Sequence, residues 1–285
     1  MEMRILTILF FLTLIMTSCS KEIKIEEGQL ENQLVVEGYI ENGKYPKIYL
    51  TKSTKYFTKI DSSNFMQILA NFAKVSVSDG NETEILTLMK GKKTFPLFYF
   101  EGSEIKGEIG KEYQIKIEIE GKTYESRTTI TKPIEILSLT YFSKPNNPNY
   151  NFLNLKFKDP IEEKNYYKVY TKRIGKDSEF KPCYLSTFND FGFNGKIYDF
   201  EILSSYSPVV DSDEDRYFVK GDSVIVKLCT MEKKNHDYWK NIEAQIAISA
   251  NPFGLSNNNP NSLISNNALG TWCGMGCSYG IIKVK

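Results

Sequence analysis

Five cysteines and one histidine in 285 residues narrow the reactive chemistry available to this chain. Four of the cysteines, Cys183, Cys229, Cys273 and Cys277, lie in the second half, and in an oxidising compartment they admit three pairings. Cys273 and Cys277 are separated by Gly274, Met275 and Gly276. The two glycines allow a turn that would bring the Cα atoms within the roughly 4.4–6.8 Å of a disulfide, so this pair is expected to bond. A loop so short gains less than the roughly 3 kcal/mol of a 15-residue loop, and the bond would shape a turn more than stabilise the fold. Four thiolates could instead hold zinc, but structural zinc sites use tight paired spacing in both halves and here only one pair is close. A lone His236 excludes sites built on two or three histidines, and any Ser-His-Asp arrangement would have to run through it. Beside Asp237 at the start of a helical stretch, it reads as a surface or capping residue. No catalytic residue, metal or cofactor is expected, and the chain does not read as an enzyme.

Two further clusters could contact a ligand. Asp211, Asp213 and Asp215 alternate as the early ligands of a calcium loop do, yet Arg216 stands where the loop glycine belongs and Asp222 where a bidentate glutamate belongs. A solvated acidic loop is the expectation there. Phe188, Asp190, Phe191, Phe193 and Asn194 combine aromatic and polar groups within seven residues. They read either as a tight turn over packed aromatics or as a ligand contact through Phe188, Asp190, Phe191 and Asn194.

The N-terminus carries a different chemistry. Arg4 supplies a positive region, Ile5 to Met16 is apolar apart from Thr7 and Thr13, and Thr17, Ser18 and Cys19 end the run. That is the length of a signal-peptide core, short of the about 20 residues of a membrane-spanning helix. The ending resembles the lipobox of bacterial lipoproteins, with Met16 in place of the usual leucine. Residues 1–18 are therefore expected to be removed and Cys19 to be acylated; more than one acyl chain, at about 0.8 kcal/mol per methylene, holds a protein at a membrane. A polar tether, 19–33, follows. Lys21 and Glu22 loosely resemble the signal that directs Bacteroidota lipoproteins to the cell surface, although a plain solvated linker reads equally well.

Composition sets the frame for these groups. Lys plus Arg number 36 against 35 for Asp plus Glu, a balance with no attraction for nucleic acid. Aromatic residues make up 13%, chiefly 18 Tyr and 18 Phe, as in half-buried strands. From Leu34 to Ile130, short alternating runs separated by turn residues predict an immunoglobulin-like antiparallel β-sandwich, 34–132. Thr131-Lys132-Pro133 breaks the series and is expected to be a domain boundary. Residues 133–285 predict a second antiparallel β domain with a helix at 233–247, where Trp239, Ile242 and Ile246 recur at helical spacing behind a capping Asn235. Ser62 to Phe72 is a short helix or loop, Asn251 to Asn267 a long loop, and Gly280 to Val284 a last strand.

Taken in order, Leu34-Val35-Val36-Glu37-Gly38, Val75-Ser76-Val77-Ser78-Asp79, Gly110-Lys111-Glu112-Tyr113 and Gly121-Lys122-Thr123-Tyr124 resemble an uncharacterised domain-of-unknown-function family of Bacteroidota outer-membrane lipoproteins. Asn165-Tyr166-Tyr167, Phe188-Asn189-Asp190, Lys220-Gly221-Asp222 and Leu269-Gly270 continue the resemblance over nearly all of the mature chain. Relatives are often encoded beside TonB-dependent receptors. The resemblance implies a lipid-anchored outer-membrane protein, facing outward, that partners such a receptor as an accessory or substrate-binding component. It supplies no catalytic residues. A surface glycan-binding or adhesion module is the alternative. The sequence departs from relatives at Trp272-Cys273-Gly274-Met275-Gly276-Cys277.

Overall fold

The computed structural model describes residues 33–54, 69–91, 96–204, 216–249 and 261–285. Cys19, all of the tether but Gln33, most of Ser62–Phe72 and the Asp211–Asp215 cluster lie outside them. The first-half strands are β1 (Leu34–Glu41), β2 (Lys47–Lys52), β3 (Lys74–Ser78), β4 (Thr83–Ile85), β5 (Thr87–Lys90), β6 (Phe98–Glu101), β7 (Glu112–Ile119) and β8 (Lys122–Thr129). The second half adds β9 (Ile136–Lys144), β10 (Asn147–Lys158), β11 (Tyr166–Arg173), β12 (Lys181–Asn189), β13 (Ile197–Ile202), β14 (Phe218–Val219), β15 (Ser223–Met231), helix α1 (Lys233–Ser249) and β16 (Leu269–Lys283). The expected class, mainly antiparallel β with a single helix, is what the described residues form.

One eight-stranded sheet, ordered β12-β11-β15-β16-β1-β2-β6-β5, takes four strands from each half of the chain. Two four-stranded sheets pack against the same side of it. One is β4-β3-β7-β8; the other is β13-β10-β14, with β9 also paired to β10. Under the first, Val36, Ile40, Ile48 and Leu50 meet Val75, Val77, Ile115 and Ile117. Under the second, Leu153, Leu155 and Phe157 meet Val169, Val226 and Leu228. Alternation decides this arrangement, because a period of two sends every second side chain to the covered face. The boundary expected at Thr131–Pro133 is therefore corrected: it separates two cores, not two domains, and Asn32–Lys285 is one compact unit. Continuous hydrogen bonding through β16, parallel to β1 and antiparallel to β15, joins the halves.

Strand β16 is the main departure from expectation. It runs 15 residues and is buried on both faces from Gly270 to Cys277, where a turn and only a short final strand were expected. Its glycines serve close approach. The chain passes from β8 to β9 directly over it, and a Cβ on Gly274 would lie 2.5 Å from the Thr129 carbonyl oxygen, one on Gly276 only 2.1 Å from that of Thr131. Gly274 N–H donates to Thr128 Oγ1 at 2.7 Å, and Thr230 Oγ1 donates to the Lys132 carbonyl at 2.8 Å, tying the crossing segment down. Trp272, fully buried, covers Gly38 on the adjacent strand and donates its indole N–H to the Tyr113 carbonyl at 3.0 Å.

The extended strand also overturns the expected Cys273–Cys277 bond. Residues four apart on a strand share a face but are roughly 13 Å apart at about 3.3 Å per residue. Cys277 instead stands directly opposite Cys229 on β15 and bonds to it across a Cα separation of 4.2 Å, while Cys273 and Cys183 are free and buried. Burial pushes both free thiols well above their ordinary range, so they stay protonated. Asn235 is a smaller correction. It is the third residue of α1, not its cap, and its amide donates to Thr271 Oγ1 and the Trp272 carbonyl, fastening the helix to β16.

Two measurements check this account. Gly276→Ala should cost at least the about 1–3 kcal/mol of an overpacked core, read as a lower urea midpoint. A non-reduced digest should yield a Cys229–Cys277 peptide, and reduction should remove up to about 4 kcal/mol, the chain-entropy value for a loop closed over 48 residues.

Candidate functional site

The side of the large sheet that carries no second sheet presents the other half of the alternation. On β1 it shows Glu37, Tyr39 and Glu41; on β2, Lys47 and Tyr49; on β11, Lys168, Tyr170 and Lys172; on β15, Lys227; on β16, Cys273, Met275 and Tyr279. These close a cleft of about 760 Å³. Trp239 of α1 walls one side. The loop between β11 and β12 brings Glu179 and Phe180 to another. That loop is held by Asp177, whose carboxylate accepts from the Arg173 backbone N–H at 2.8 Å, from its guanidinium at 3.0 and 3.1 Å, and pairs with Lys181 at 2.8 Å. Burial alone would raise the Asp177 pKa, but these donors outweigh it and hold it at about 2. Gly175, at φ +81°, takes the left-handed turn that the loop needs.

Most charges in the cleft are met from within. Lys227, 4% exposed, pairs with Glu41 at 2.6 Å, and the Tyr279 hydroxyl donates to the other Glu41 oxygen. Lys168, 2% exposed, donates to Ser186 Oγ at 3.0 Å, Thr187 Oγ1 at 2.8 Å and Glu243 of α1 at 3.2 Å. Burial pulls the Lys168 pKa down and Glu243 opposes this. The same ammoniums lie over aromatic faces: Lys227 is 4.4 Å from the Tyr170 centroid and 4.7 Å from that of Phe180, Lys168 is 4.8 Å from Trp239, and Lys47 is 4.3 Å from Tyr99. The Tyr49 hydroxyl donates to Glu179 at 3.0 Å, and the Tyr39 ring lies 6.4 Å from that of Tyr49. Glu37 is different. It opens to the cleft and forms no hydrogen bond or ion pair with a described residue. The surrounding walls raise its pKa, Lys168 acts against this from beyond ion-pair distance, and Glu179 adds to it.

The residues singled out by sequence lie elsewhere. Phe188 sits among core rings, stacked on Phe200 at 4.5 Å, and Asp190 is buried, accepting from the Asn165 backbone N–H at 2.8 Å. Phe191 is 93% exposed and Asn194 is exposed on the turn. Phe188 and Phe191 do border a second, shallower groove with His236 and Lys240, but Asp190 and Asn194 do not line it. His236 is buried rather than on the surface; burial lowers its pKa, and its Nδ1 lies 3.0 Å from Asp237. Gly276-Cys277-Ser278-Tyr279-Gly280 has the spacing of a nucleophile elbow. It is extended mid-sheet, whereas that motif requires a tight strand-to-helix turn. No group of three potential metal-ligating His, Cys, Asp or Glu residues occurs among the described residues.

The sequence reading passed over the cleft residues, although a signal for them was present. Glu37, Tyr39 and Glu41 share one parity of β1 while Leu34, Val36 and Ile40 hold the other, and Lys168, Tyr170 and Lys172 share one parity of β11; charged residues with that spacing in strands read as solvated when taken singly. The pairing has an energetic test. Lys227→Met should cost about 3–5 kcal/mol by stranding Glu41, and adding Glu41→Gln should recover most of it in equilibrium denaturation.

The sequence matches the family model described as domain of unknown function (DUF4249) over residues 20–270. No curated protein matches it. That match spans both cores, the cleft strands β1, β2, β11 and β15, and α1, and the chain is a member of the DUF4249 family.

Proposed function

We propose that this chain is a non-catalytic, lipid-anchored outer-membrane protein of the Bacteroidota type that serves as an accessory or substrate-binding component of a TonB-dependent uptake system. The observation that carries the binding part is the cleft. Its volume falls in the range of small-molecule sites, it is built on strands of a continuous sheet, and its buried ammoniums are engaged by carboxylates and hydroxyls. Such fixed partners suit holding a ligand better than moving protons. The anchor rests on the apolar run ending in Thr17-Ser18-Cys19 and the polar tether behind it. Among the described residues no helix is long and apolar enough to cross a membrane. A surface glycan-binding or adhesion module is the second reading, favoured by the tyrosines, Phe180 and Trp239 around the cleft.

Cys19→Ser should move the protein from the membrane fraction to the soluble fraction, and retention after carbonate extraction would exclude the lipid anchor. Protease added to intact cells should degrade the wild-type chain if it faces outward. Affinity purification in mild detergent should recover an outer-membrane receptor; recovery of none would remove the uptake role.

A further inference from the structure

Seven lysines and four glutamates line the cleft. Four of the lysines have a carboxylate of their own, at 2.6 to 3.8 Å: Lys47 with Glu101, Lys168 with Glu243, Lys181 with Asp177 and Lys227 with Glu41. Lys44, Lys106 and Lys172 pair with no carboxylate among the described residues. An ammonium carries three donors. Lys172 uses one on the Ser178 carbonyl at 2.9 Å, and the side chains of Lys44 and Lys106 form no hydrogen bond with a described residue.

These three gather at one end of the cleft. Lys44 and Tyr45 stand in the turn between β1 and β2. Gly107 fastens Lys106 beside that turn, its N–H donating to the Lys44 carbonyl at 2.9 Å and its carbonyl accepting from Gly43 at 2.8 Å, and the Lys106 ammonium lies 5.0 Å from the Tyr45 centroid. Glu41, the last residue of β1 before the turn, accepts from the Tyr279 hydroxyl, and the Tyr279 ring lies 5.9 Å from that of Phe180. The Lys172 ammonium is 6.0 Å from the same Phe180 ring. Tyr279 and the Lys227–Glu41 pair thus lie between the turn and the covering loop. The two lining carboxylates without an ammonium are set back from there. Glu37 stands opposite Tyr49 on β2, Tyr49 donates to Glu179, and Glu37 precedes Glu41 by four residues of strand, roughly 13 Å at about 3.3 Å per residue.

This distribution selects a ligand class. A pyranose stacks on a bare aromatic face, whereas Tyr45, Tyr99, Tyr170 and Phe180 each already have a lysine ammonium over one face. Unused N–H donors on three separate stems, around a floor whose own charges are paired, suit an acceptor-rich anion. None of the lining cations is an arginine, so recognition is by point charge and fits carboxylate, sulfate and phosphate groups alike. Because the stems come from the turn, from the segment before Gly107 and from β11, a ligand with several anionic groups meets more of them than one with a single group. We propose that the turn end of the cleft binds a small polyanion, a ligand whose carboxylate, sulfate or phosphate groups set against Lys44, Lys106 and Lys172 while its body lies over Tyr279 and Phe180. This rests on the reading of the chain as a binding component and names the class of its cargo. Cations at the mouth of a walled cleft also draw such a ligand in, an attraction that salt screens.

Isothermal titration of the purified full-length protein at about 150 mM salt tests the assignment, with trigalacturonate, a trisulfated heparin disaccharide and inositol hexakisphosphate as probes and maltotriose as the uncharged control. The three probes separate the three sources of negative charge. The expected result is one-to-one binding of at least one polyanion, about threefold weaker in each of Lys44→Gln, Lys106→Gln and Lys172→Gln and at least about tenfold weaker in the triple variant. Lys44→Arg, Lys106→Arg and Lys172→Arg together should retain it. All three lysines are at least partly exposed, so the variants should melt with the wild type, which separates lost binding from lost folding. Lys158→Gln with Lys220→Gln removes exposed lysines outside the cleft and should leave the affinity unchanged, and Glu37→Gln should not weaken it. No heat with any polyanion, equal binding by the triple glutamine variant, an equal loss in Lys158→Gln with Lys220→Gln, or weakening by Glu37→Gln would overturn the assignment. Maltotriose binding that survives the triple substitution would overturn the ligand class while leaving the binding role intact. Receptor recovery from membranes tests that role separately.

Discussion

The close passage of Thr128–Pro133 over the glycines of β16 is the constraint on which the rest of the structure depends. A carbonyl oxygen 2.1 Å from where a Cβ would stand leaves no room for any side chain at Gly276, and Gly274 is held nearly as tightly. That passage lets one chain leave the first small sheet and enter the second without leaving the surface of the large one. It also places β16 between β1 and β15, so hydrogen bonding runs unbroken across the molecule. Trp272, two residues away and on the same side, fills the first core over Gly38. The glycines and the tryptophan are thus one device: small residues where backbone crosses backbone, and the largest where a core must be filled.

Putting both small sheets on one side leaves the opposite face to the helix and loops alone. That face is wide, and the charges it carries would be unremarkable in water. Beneath α1 and the Asp177-knotted loop they are taken out of water, and they persist because Lys168 and Lys227 have carboxylates and hydroxyls in reach. Glu37, on the same face of β1, is exposed and forms no ion pair with a described residue. The Cys229–Cys277 bond and the buried Met231 and Met275 cluster on the same face, where Cys273 and Met275 line the cleft.

Legibility varied with how local the deciding interaction is. The strands around Val75 and Val77, and around Ile115 and Ile117, follow from their alternation, and α1 follows from Trp239, Ile242 and Ile246. The run Glu84–Met89 reads as one strand but is two, because Leu86 turns inward and the chain changes sheets there, β4 joining β3 and β5 joining β6. Phe188 and Asp190 stood out as a cluster, yet one serves a ring stack and the other a backbone N–H, roles that depend on Phe200 and Asn165 far from them in sequence. The cleft was harder to find. Each of its strands contributes two or three polar residues of ordinary type, and only their neighbours across the sheet make them a site.

The sequence by itself determined the class of the fold, the place of the helix and most strands, and the expectation of an exported chain, because periodicity, turn residues and an apolar leader are local signals. The tertiary structure alone decided that the halves share a sheet, that Cys277 bonds to Cys229, and that Glu37 has no partner where Lys168 and Lys227 do. Each of these depends on which strands become neighbours. Strand neighbours are set by contacts between residues up to more than two hundred positions apart, as when Glu41 meets Tyr279, and a period of two in one strand carries no information about the strand beside it.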